Sequence, residues 1–177
     1  RGVISAHGAD VDRYGRASRV RRLFLRLVMR GADRIVACSD AMARQTAEVF
    51  TAAASKVTYV HNGIDVAAFV RPIDPRPVAN PFLLSVCRQV EKKGTDTLLR
   101  ACALIQRDFP DLSLVIIGDG PILDQNRALA RDLGNEKRVL FTGDMAHAKV
   151  LAYSEACSLF VVASRAKPFG LVVLEAA

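Results

Sequence analysis

A short polar stretch, "CRQVEKKGTD", combines residue types and spacing that suit the binding of an anion. Arg88, Lys92, Lys93 and Gly94 lie between an apolar run that predicts a strand and a pattern that predicts a helix. Fixed cations beside the free N–H groups of a helix N-terminus favour phosphate, and an arginine can hold a phosphate through two parallel hydrogen bonds. Two interpretations are open, an anion site or a lysine-rich surface loop.

The stretch "KPFGLVVLEA" offers similar chemistry at the end of the chain. Gly170 follows Pro168 and Phe169 and would let backbone approach a ligand closely. A helix beginning near Leu171 would direct its N–H groups at a phosphate. Glu175 lies about one turn into that helix, where a carboxylate can accept paired hydrogen bonds from vicinal sugar hydroxyls. A single acid on an apolar helix is also typical of an ordinary exposed position, so both interpretations stay open.

The other motifs favour structural roles. The "GDGP" stretch, residues 118–121, lacks the GxGxxG spacing of a dinucleotide fingerprint, so we predict a turn there. His7 and His61 each follow a predicted strand. No His/Cys/Asp cluster has metal-ligand spacing, and neither GxSxG nor a P-loop is present. A nicotinamide-dependent oxidoreductase ranks low, because the dinucleotide fingerprint is missing.

The elements that must position these residues have an α/β pattern, because apolar runs that predict strands alternate with stretches that predict helices. The predicted strands are Val3 to His7, Arg34 to Cys38, Lys56 to His61, Phe82 to Cys87, Ser113 to Ile117, Val139 to Thr142 and Leu159 to Ala163. Strands that are apolar nearly throughout are typical of parallel sheets covered by helices on both faces. Such sheets bind ligands at the carboxyl ends of their strands, where both candidate anion stretches lie.

A proline-rich stretch divides the chain. Four prolines between Arg71 and Pro81 predict an extended linker. We expect residues 1–72 to be the C-terminal part of a first domain, 73–81 to be the linker, and 82–177 to be the first part of a second domain. Because the sequence starts at Arg1 and stops inside an apolar pattern without a capping signal, we expect a fragment that is inactive alone.

The charge of the chain is unevenly distributed. The formal net charge is +7, and eight arginines but only one acid, Asp33, lie between Arg13 and Arg34. The apolar residues of this stretch recur at helical spacing and are Val20, Leu23, Phe24, Leu27 and Val28. This pattern predicts a basic amphipathic helix. The helix is either a solvated outer face or a contact for an anionic surface, and that surface would be lipid head groups or a phosphate-bearing acceptor. Nucleic acid is not expected, because no recognisable nucleic-acid module or stacking aromatics accompany the arginines.

The cysteines and the hydropathy pattern suggest a compartment. Cys38, Cys87, Cys102 and Cys157 lie far apart in apolar surroundings, which indicates free thiols in a reducing cytoplasm. No apolar run approaches the roughly 18 residues of a membrane span. We expect a cytoplasmic protein, peripheral at the inner face of the membrane if the basic helix contacts lipid.

Seven segments, in this order and spacing, resemble the nucleotide-sugar glycosyltransferases of the GT-B fold, in particular the large retaining group numbered family 4. They are "SAHGAD", "ADRIVACSDAMARQ", "VHNGIDVAAF", "LLSVCRQVEKKGTDTLLRACA", "LVIIGDGP", "VLFTGDM" and "SLFVVASRAKPFGLVVLEAA". The resemblance implies an α/β fold of two Rossmann-like, doubly wound parallel-sheet domains, both truncated here. It implies that the second domain holds the nucleotide sugar and the first binds a glycan or glycolipid acceptor. It also implies retention at the anomeric carbon, no cofactor and no obligatory metal.

The resemblance assigns a nucleotide-sugar site to six residues, which are Arg88, Lys93, Phe169, Gly170, Leu171 and Glu175. Arg88 and Lys93 would bind the donor diphosphate, and Glu175 would hold the nucleotide ribose. Backbone amides around Gly170 would approach the phosphates. His7, in the "HG" element, would lie near the reacting sugar carbon and is the catalytic candidate.

Three residues depart from the family's pattern. The family has two glutamates eight positions apart, and Lys167 takes the place of the first while Glu175 is the second. Cys87 replaces a glycine and Ala163 replaces a proline. Because Lys167 reverses the charge where the donor sugar should lie, the alternative hypothesis is a catalytically impaired nucleotide-sugar-binding protein of the same fold.

Overall fold

The computed structural model describes residues 2–6, 11, 14, 18–64, 78 and 81–165. These residues fall into two compact units, the first extending to Gly63 and the second beginning at Ile64. Each unit contains one parallel β-sheet. The linker predicted at residues 73–81 lies mostly outside the described residues, so the domain bounds stay a prediction.

The first unit contains a parallel sheet with strand order β1-β2-β3. Its strands are β1 (Val3–Ala6), β2 (Arg34–Ala37) and β3 (Val57–Tyr59). Its helices are α1 (Arg19–Gly31), α2 (Asp40–Val49) and a 3₁₀ helix (Thr51–Lys56). Parallel neighbours need a crossover connection, and here α1 joins β1 to β2 while α2 and the 3₁₀ helix join β2 to β3.

Local capping fixes the ends of these helices. The side chains of Ser18 and Ser39 each accept a hydrogen bond from the backbone N–H three residues later, which satisfies an unpaired donor of the first turn. At the other end of α1, the Lys56 ammonium donates to the carbonyl oxygens of Arg30 and Ala32, both at 2.8 Å. A cation at this place also complements the negative end of the helix dipole.

The second unit contains a four-stranded parallel sheet with order β6-β5-β4-β7. Its strands are β4 (Phe82–Val86), β5 (Ser113–Ile117), β6 (Val139–Gly143) and β7 (Leu159–Phe160). Its α-helices are α3 (Thr95–Ile105), α4 (Leu123–Asp132) and α5 (His147–Ala156). The carboxyl ends of the strands therefore lie at one edge, from which the connecting loops emerge.

Both faces of the second sheet are covered, as the apolar strands predicted. Along β5, Leu114 and Ile116 pack into a cluster that includes residues of α3 and α4. Val115 and Ile117, which point the opposite way because side chains alternate along a strand, pack into a second cluster with residues of α5. Helices on both faces make this a doubly wound sheet.

The predicted elements are present, with shifted ends. Lys56 closes the 3₁₀ helix instead of starting β3, and β7 stops at Phe160 instead of continuing to Ala163. The N–H of Val161 still donates to the Leu84 carbonyl at 2.7 Å, after which the ladder with β4 ends.

The four cysteines are all free, as predicted. Cys38 is buried and the other three are partly buried. Burial raises the pKa of the Cys102 and Cys157 thiols, which keeps them protonated and unreactive at neutral pH.

Candidate functional site

Loops at the carboxyl edge of the second sheet carry the candidate site. Arg88 and Lys93 lie on the connection between β4 and α3, and the "GDGP" turn follows β5. Arg165 follows β7 at the same edge. Ligands of doubly wound sheets bind at this edge, so Arg88 and Lys93 stay candidates for an anion site.

Arg88 is exposed because its neighbour anchors the loop. Gln89 is fully buried, and its backbone N–H donates to the carbonyl of Asp119 at 2.8 Å. Its side-chain amide donates to the Cys87 carbonyl at 3.1 Å and accepts from the Asn126 amide at 3.0 Å. The loop is thus tied to the turn after β5 and to α4, with the Arg88 side chain left at the surface.

Lys93 lies at the end of a short 3₁₀ turn, and Gly94 separates it from the first residue of α3, Thr95. The turn spans Glu91–Lys93, and Gly94 after it has a left-handed φ of 68°. Lys93 is partly exposed. Across the described residues, neither Arg88 nor Lys93 forms an ion pair with an acid. No described acid neutralises either charge, and Lys93 lies next to the N-cap of α3, Gly94.

Arg165 links the end of β7 to this turn, and sequence reasoning did not assign it a role. Its guanidinium donates to both carboxylate oxygens of Asp96, at 2.9 and 2.6 Å, and to the Thr97 hydroxyl at 3.1 Å. It also donates to the Glu91 carbonyl, and its backbone N–H donates to the Lys92 carbonyl at 2.9 Å. The hydrogen bonds from Arg165 hold the pKa of the Asp96 carboxyl below its usual value.

The "GDGP" turn is a structural element, as predicted. A Cβ on Gly118 would lie 2.3 Å from the Cys87 carbonyl oxygen, so this position needs glycine for the close approach of the two loops. The backbone N–H of Asp119 donates to the Asp144 carboxylate at 2.9 Å. Since that amide is already paired with an acid of the protein, it is not offered to a phosphate.

Several predicted site residues lie outside the described part of the chain. They are His7, Lys167, Phe169, Gly170, Leu171 and Glu175. Their roles stay predictions. Sequence reasoning also missed Gln89 and Asn126, because a buried pair of amides between two loops has no periodic pattern. Arg165 had one usable signal, its position close behind a predicted strand at the ligand-binding edge.

No described group of three or more His, Cys, Asp or Glu side chains has a geometry that would hold a metal ion.

Helix α1 forms a second candidate surface, in the first unit. Its outward side exposes an apolar stripe, defined as Val20, Leu23, Phe24 and Leu27, and each of these residues is 60–79% exposed. An amphipathic helix normally buries this side, whereas here Met29 is the residue of α1 that is buried. Arginines border the stripe. None of the helices in the described ranges combines the length and apolar character needed to cross a bilayer.

Comparison with known proteins identifies the family. Residues 68–177 match the family described as "Glycosyl transferases group 1", and this match covers more than half of the chain. The chain belongs to this family. Residues 1–68 of this group 1 glycosyl transferase chain match a second description, "Glycosyltransferase Family 4". The predicted family resemblance is confirmed.

Two relatives from Mycobacterium tuberculosis are similar over nearly all of this glycosyl transferase chain. A glycogen synthase is 30% identical over 99% of the chain and 44% of its own length. A GDP-mannose-dependent alpha-(1-6)-phosphatidylinositol monomannoside mannosyltransferase is 32% identical over 97% of the chain and 46% of its own length. The chain thus spans about half the length of the curated relatives it matches.

Among solved structures, the Anabaena protein HepE in complex with UDP and glucose is similar to this chain. The TM-score is 0.82 at 25% identity, over 98% of the chain and 49% of HepE. The α/β fold class of GT-B type, predicted from the sequence, is confirmed.

Proposed function

We propose that this chain is the part of a retaining glycosyltransferase that holds a nucleotide-diphosphate sugar and presents it to a glycan or glycolipid acceptor. The observation that carries this proposal is the pair of cations, Arg88 and Lys93, on one loop at the carboxyl edge of a doubly wound sheet. No described acid neutralises either of them. Such an arrangement favours a ligand with concentrated negative charge, and a diphosphate fits that requirement.

The chemistry of sugar transfer explains why these cations would matter. Breaking the bond between sugar and diphosphate leaves negative charge on the departing phosphate oxygen. Cations fixed before the reaction stabilise that charge more in the transition state than in the ground state, which lowers the barrier. We propose that Arg88 and Lys93 perform this role without an obligatory metal or other cofactor.

The relatives support a nucleotide-sugar donor. One of them is named as GDP-mannose-dependent, and HepE was solved with UDP and glucose. These names favour a hexose on UDP or GDP as the donor class for this chain. From the sequence resemblance, we also propose that His7 lies beside the reacting sugar carbon and that Glu175 binds the nucleotide ribose.

The alternative is a protein of the same fold that binds the nucleotide sugar and has lost transfer. This alternative rests on Lys167, which places a positive charge where the family has a glutamate that contacts the donor sugar. Reverting it with Lys167→Glu separates the two proposals. Increased transfer would support a weakened enzyme, and binding without transfer in both forms would support the binding protein.

The proposal is tested by supplying the intact protein with a panel of UDP- and GDP-hexoses and measuring release of the nucleoside diphosphate. NMR of the product then shows whether the anomeric configuration is retained. Lys93→Ala should lower the rate by about 10²–10³-fold if Lys93 stabilises the leaving diphosphate. Lys137→Ala is the matched control, because Lys137 lies in the short 3₁₀ turn Glu136–Arg138 before β6, at the opposite edge of the sheet. Equal rates for Lys93→Ala and the control would overturn the role of Lys93.

We also propose that α1 contacts an anionic phospholipid bilayer at the inner face of the membrane. The apolar stripe is exposed, and arginines lie beside it. Arg26 and Arg30 also line an open groove with Leu23 and Leu27, next to the 3₁₀ helix of the first unit. Apolar side chains that enter the head-group region and cations that meet lipid phosphates are typical of helices that lie on a membrane.

Vesicle co-sedimentation tests this contact. The intact protein should bind vesicles of phosphatidylglycerol and phosphatidylcholine, and should bind vesicles of phosphatidylcholine alone less. Replacing Phe24 and Leu27 together by serine should abolish binding. Leu104→Ser is the control, because Leu104 is an exposed apolar residue of α3, 82% accessible, outside the stripe. No vesicle binding by the wild-type protein would mean that something other than lipid covers the stripe.

A further inference from the structure

Arg165 makes more hydrogen bonds than an isolated surface ion pair requires. Its guanidinium contacts the Asp96 carboxylate, the Thr97 hydroxyl and the Glu91 carbonyl, and its own N–H contacts the Lys92 carbonyl. These partners span the 3₁₀ turn and the first turn of α3. Arg165 thus forms hydrogen bonds with residues that precede Lys93 and with residues that follow it in the sequence.

The turn that Arg165 holds has few internal restraints. Within it, the Lys93 N–H donates to the Val90 carbonyl at 2.9 Å and the Gly94 N–H donates to the Glu91 carbonyl at 3.1 Å. The Glu91 and Lys92 side chains are exposed, and no residue of the turn is buried. The bonds from Arg165 are therefore a large share of what fixes this turn relative to the sheet.

Stability alone is a poor explanation for this network. The Arg165 and Asp96 side chains are 47% and 38% exposed, and ion pairs as exposed as this contribute little to folding free energy. Geometry is a better explanation, because an arginine that reaches several acceptors at once restricts their relative positions. The group whose position is restricted is Lys93, beside the N-terminus of α3.

We propose that Arg165 is a positioning residue for the diphosphate site: it holds the Glu91–Lys93 turn and the start of α3 so that Lys93 faces the ligand. This inference rests on the proposed function. Arg165 acts through Asp96 and the backbone of the turn, so a lysine, which keeps the charge but lacks the planar fork, should replace it only in part. Asp96→Asn should reproduce part of the same loss.

The test measures the dissociation constants of UDP and GDP with the intact protein by calorimetry. Arg165→Ala should weaken binding about tenfold, with Arg165→Lys intermediate, and loss in the double variant with Asp96→Asn should be less than additive because the two residues form one network. Arg127→Ala is the control, because it removes another exposed ion pair of the same unit, with Asp124 at 3.3 Å. Amide hydrogen exchange at residues 92–97 should rise in Arg165→Ala and not in the control.

The outcomes separate this inference from the proposed function. Binding of UDP or GDP by the wild-type protein together with unchanged binding in Arg165→Ala would overturn the positioning role and leave the proposed function standing. A melting temperature that falls well below that of Arg127→Ala, with exchange raised across the whole second unit, would show a merely structural role and overturn it too. No binding of either nucleotide by the wild-type protein would overturn the proposed function and this inference with it.

Discussion

Gly94 and Ala163 meet backbone to backbone, so that a Cβ placed on Gly94 would lie 2.2 Å from the Ala163 carbonyl oxygen. The contact joins the start of α3 to the chain that leaves β7. Gly94 directly follows Lys93 in the sequence, and Ala163 lies shortly before Arg165. The position of the Lys93 turn therefore depends on a residue without a side chain as well as on hydrogen bonds.

Gly94→Ala should destabilise the second unit and weaken nucleotide binding. Alanine would adopt the left-handed φ of 68° at a cost of about 1–2 kcal/mol, and the contact with Ala163 should add about 1–3 kcal/mol. Gly134→Ala is the control, since Gly134 has a φ of 70° and nothing within 4 Å of the added Cβ. Urea unfolding of both variants measures the difference. Equal free energies of unfolding would show that the contact with Ala163 does not constrain the loop.

Asn126→Ala should destabilise the protein through the loop that carries Arg88. Removing the Asn126 amide leaves the buried Gln89 side-chain oxygen without its donor at 3.0 Å, which costs about 1–3 kcal/mol. Gln125→Ala is the control, because Gln125 is the exposed neighbour on α4. Thermal unfolding should separate the two variants, and a loss in Asn126→Ala no larger than in the control would contradict the anchoring role of Gln89.

The Asp96–Arg165 interaction should persist at neutral pH and fail in acid. Hydrogen bonds from Arg165 lower the pKa of Asp96 in the folded state, so the stabilisation is fully present above the unfolded value of about 3.9 and is lost as pH falls through the lower folded value. The difference in melting temperature between wild type and Asp96→Asn should be small because the pair is exposed, constant near neutral pH, and should shrink below about pH 4. A difference that changes mainly around pH 6–7 would point to a histidine instead.

Chelation of divalent metals should leave sugar transfer intact, if Arg88 and Lys93 stabilise the leaving diphosphate. Transfer by the intact protein, measured before and after EDTA treatment, should keep about the same rate, because fixed cations already supply the charge that a metal would provide. Loss of transfer on chelation, with recovery on adding Mg²⁺ or Mn²⁺, would contradict the metal-independent mechanism.

The sequence predicted the elements better than the contacts between them. Apolar runs such as Ser113 to Ile117 are visible because burial on both faces demands apolar side chains throughout a strand. The polar pairs that fix the loops, Gln89 with Asn126 and Arg165 with Asp96, join residues far apart in sequence, and no local pattern encodes them. Strand β7 was predicted too long, because apolar residues after Phe160 pack without continuing the ladder.

Arg88 and Lys93 are the residues that we propose hold a nucleoside diphosphate. The most direct measurement is the shift in melting temperature that UDP, GDP and their hexose conjugates cause in the intact protein, its Arg88→Ala variant, and Arg107→Ala as a control beyond the far end of α3. A ligand at a hundredfold excess over its dissociation constant stabilises the folded state by about 2.7 kcal/mol, so binding should raise the melting temperature by a clearly measurable amount. We predict a shift for wild type and Arg107→Ala that is lost in Arg88→Ala. An equal shift in all three proteins would contradict the site, and no shift in any of them would contradict donor binding altogether.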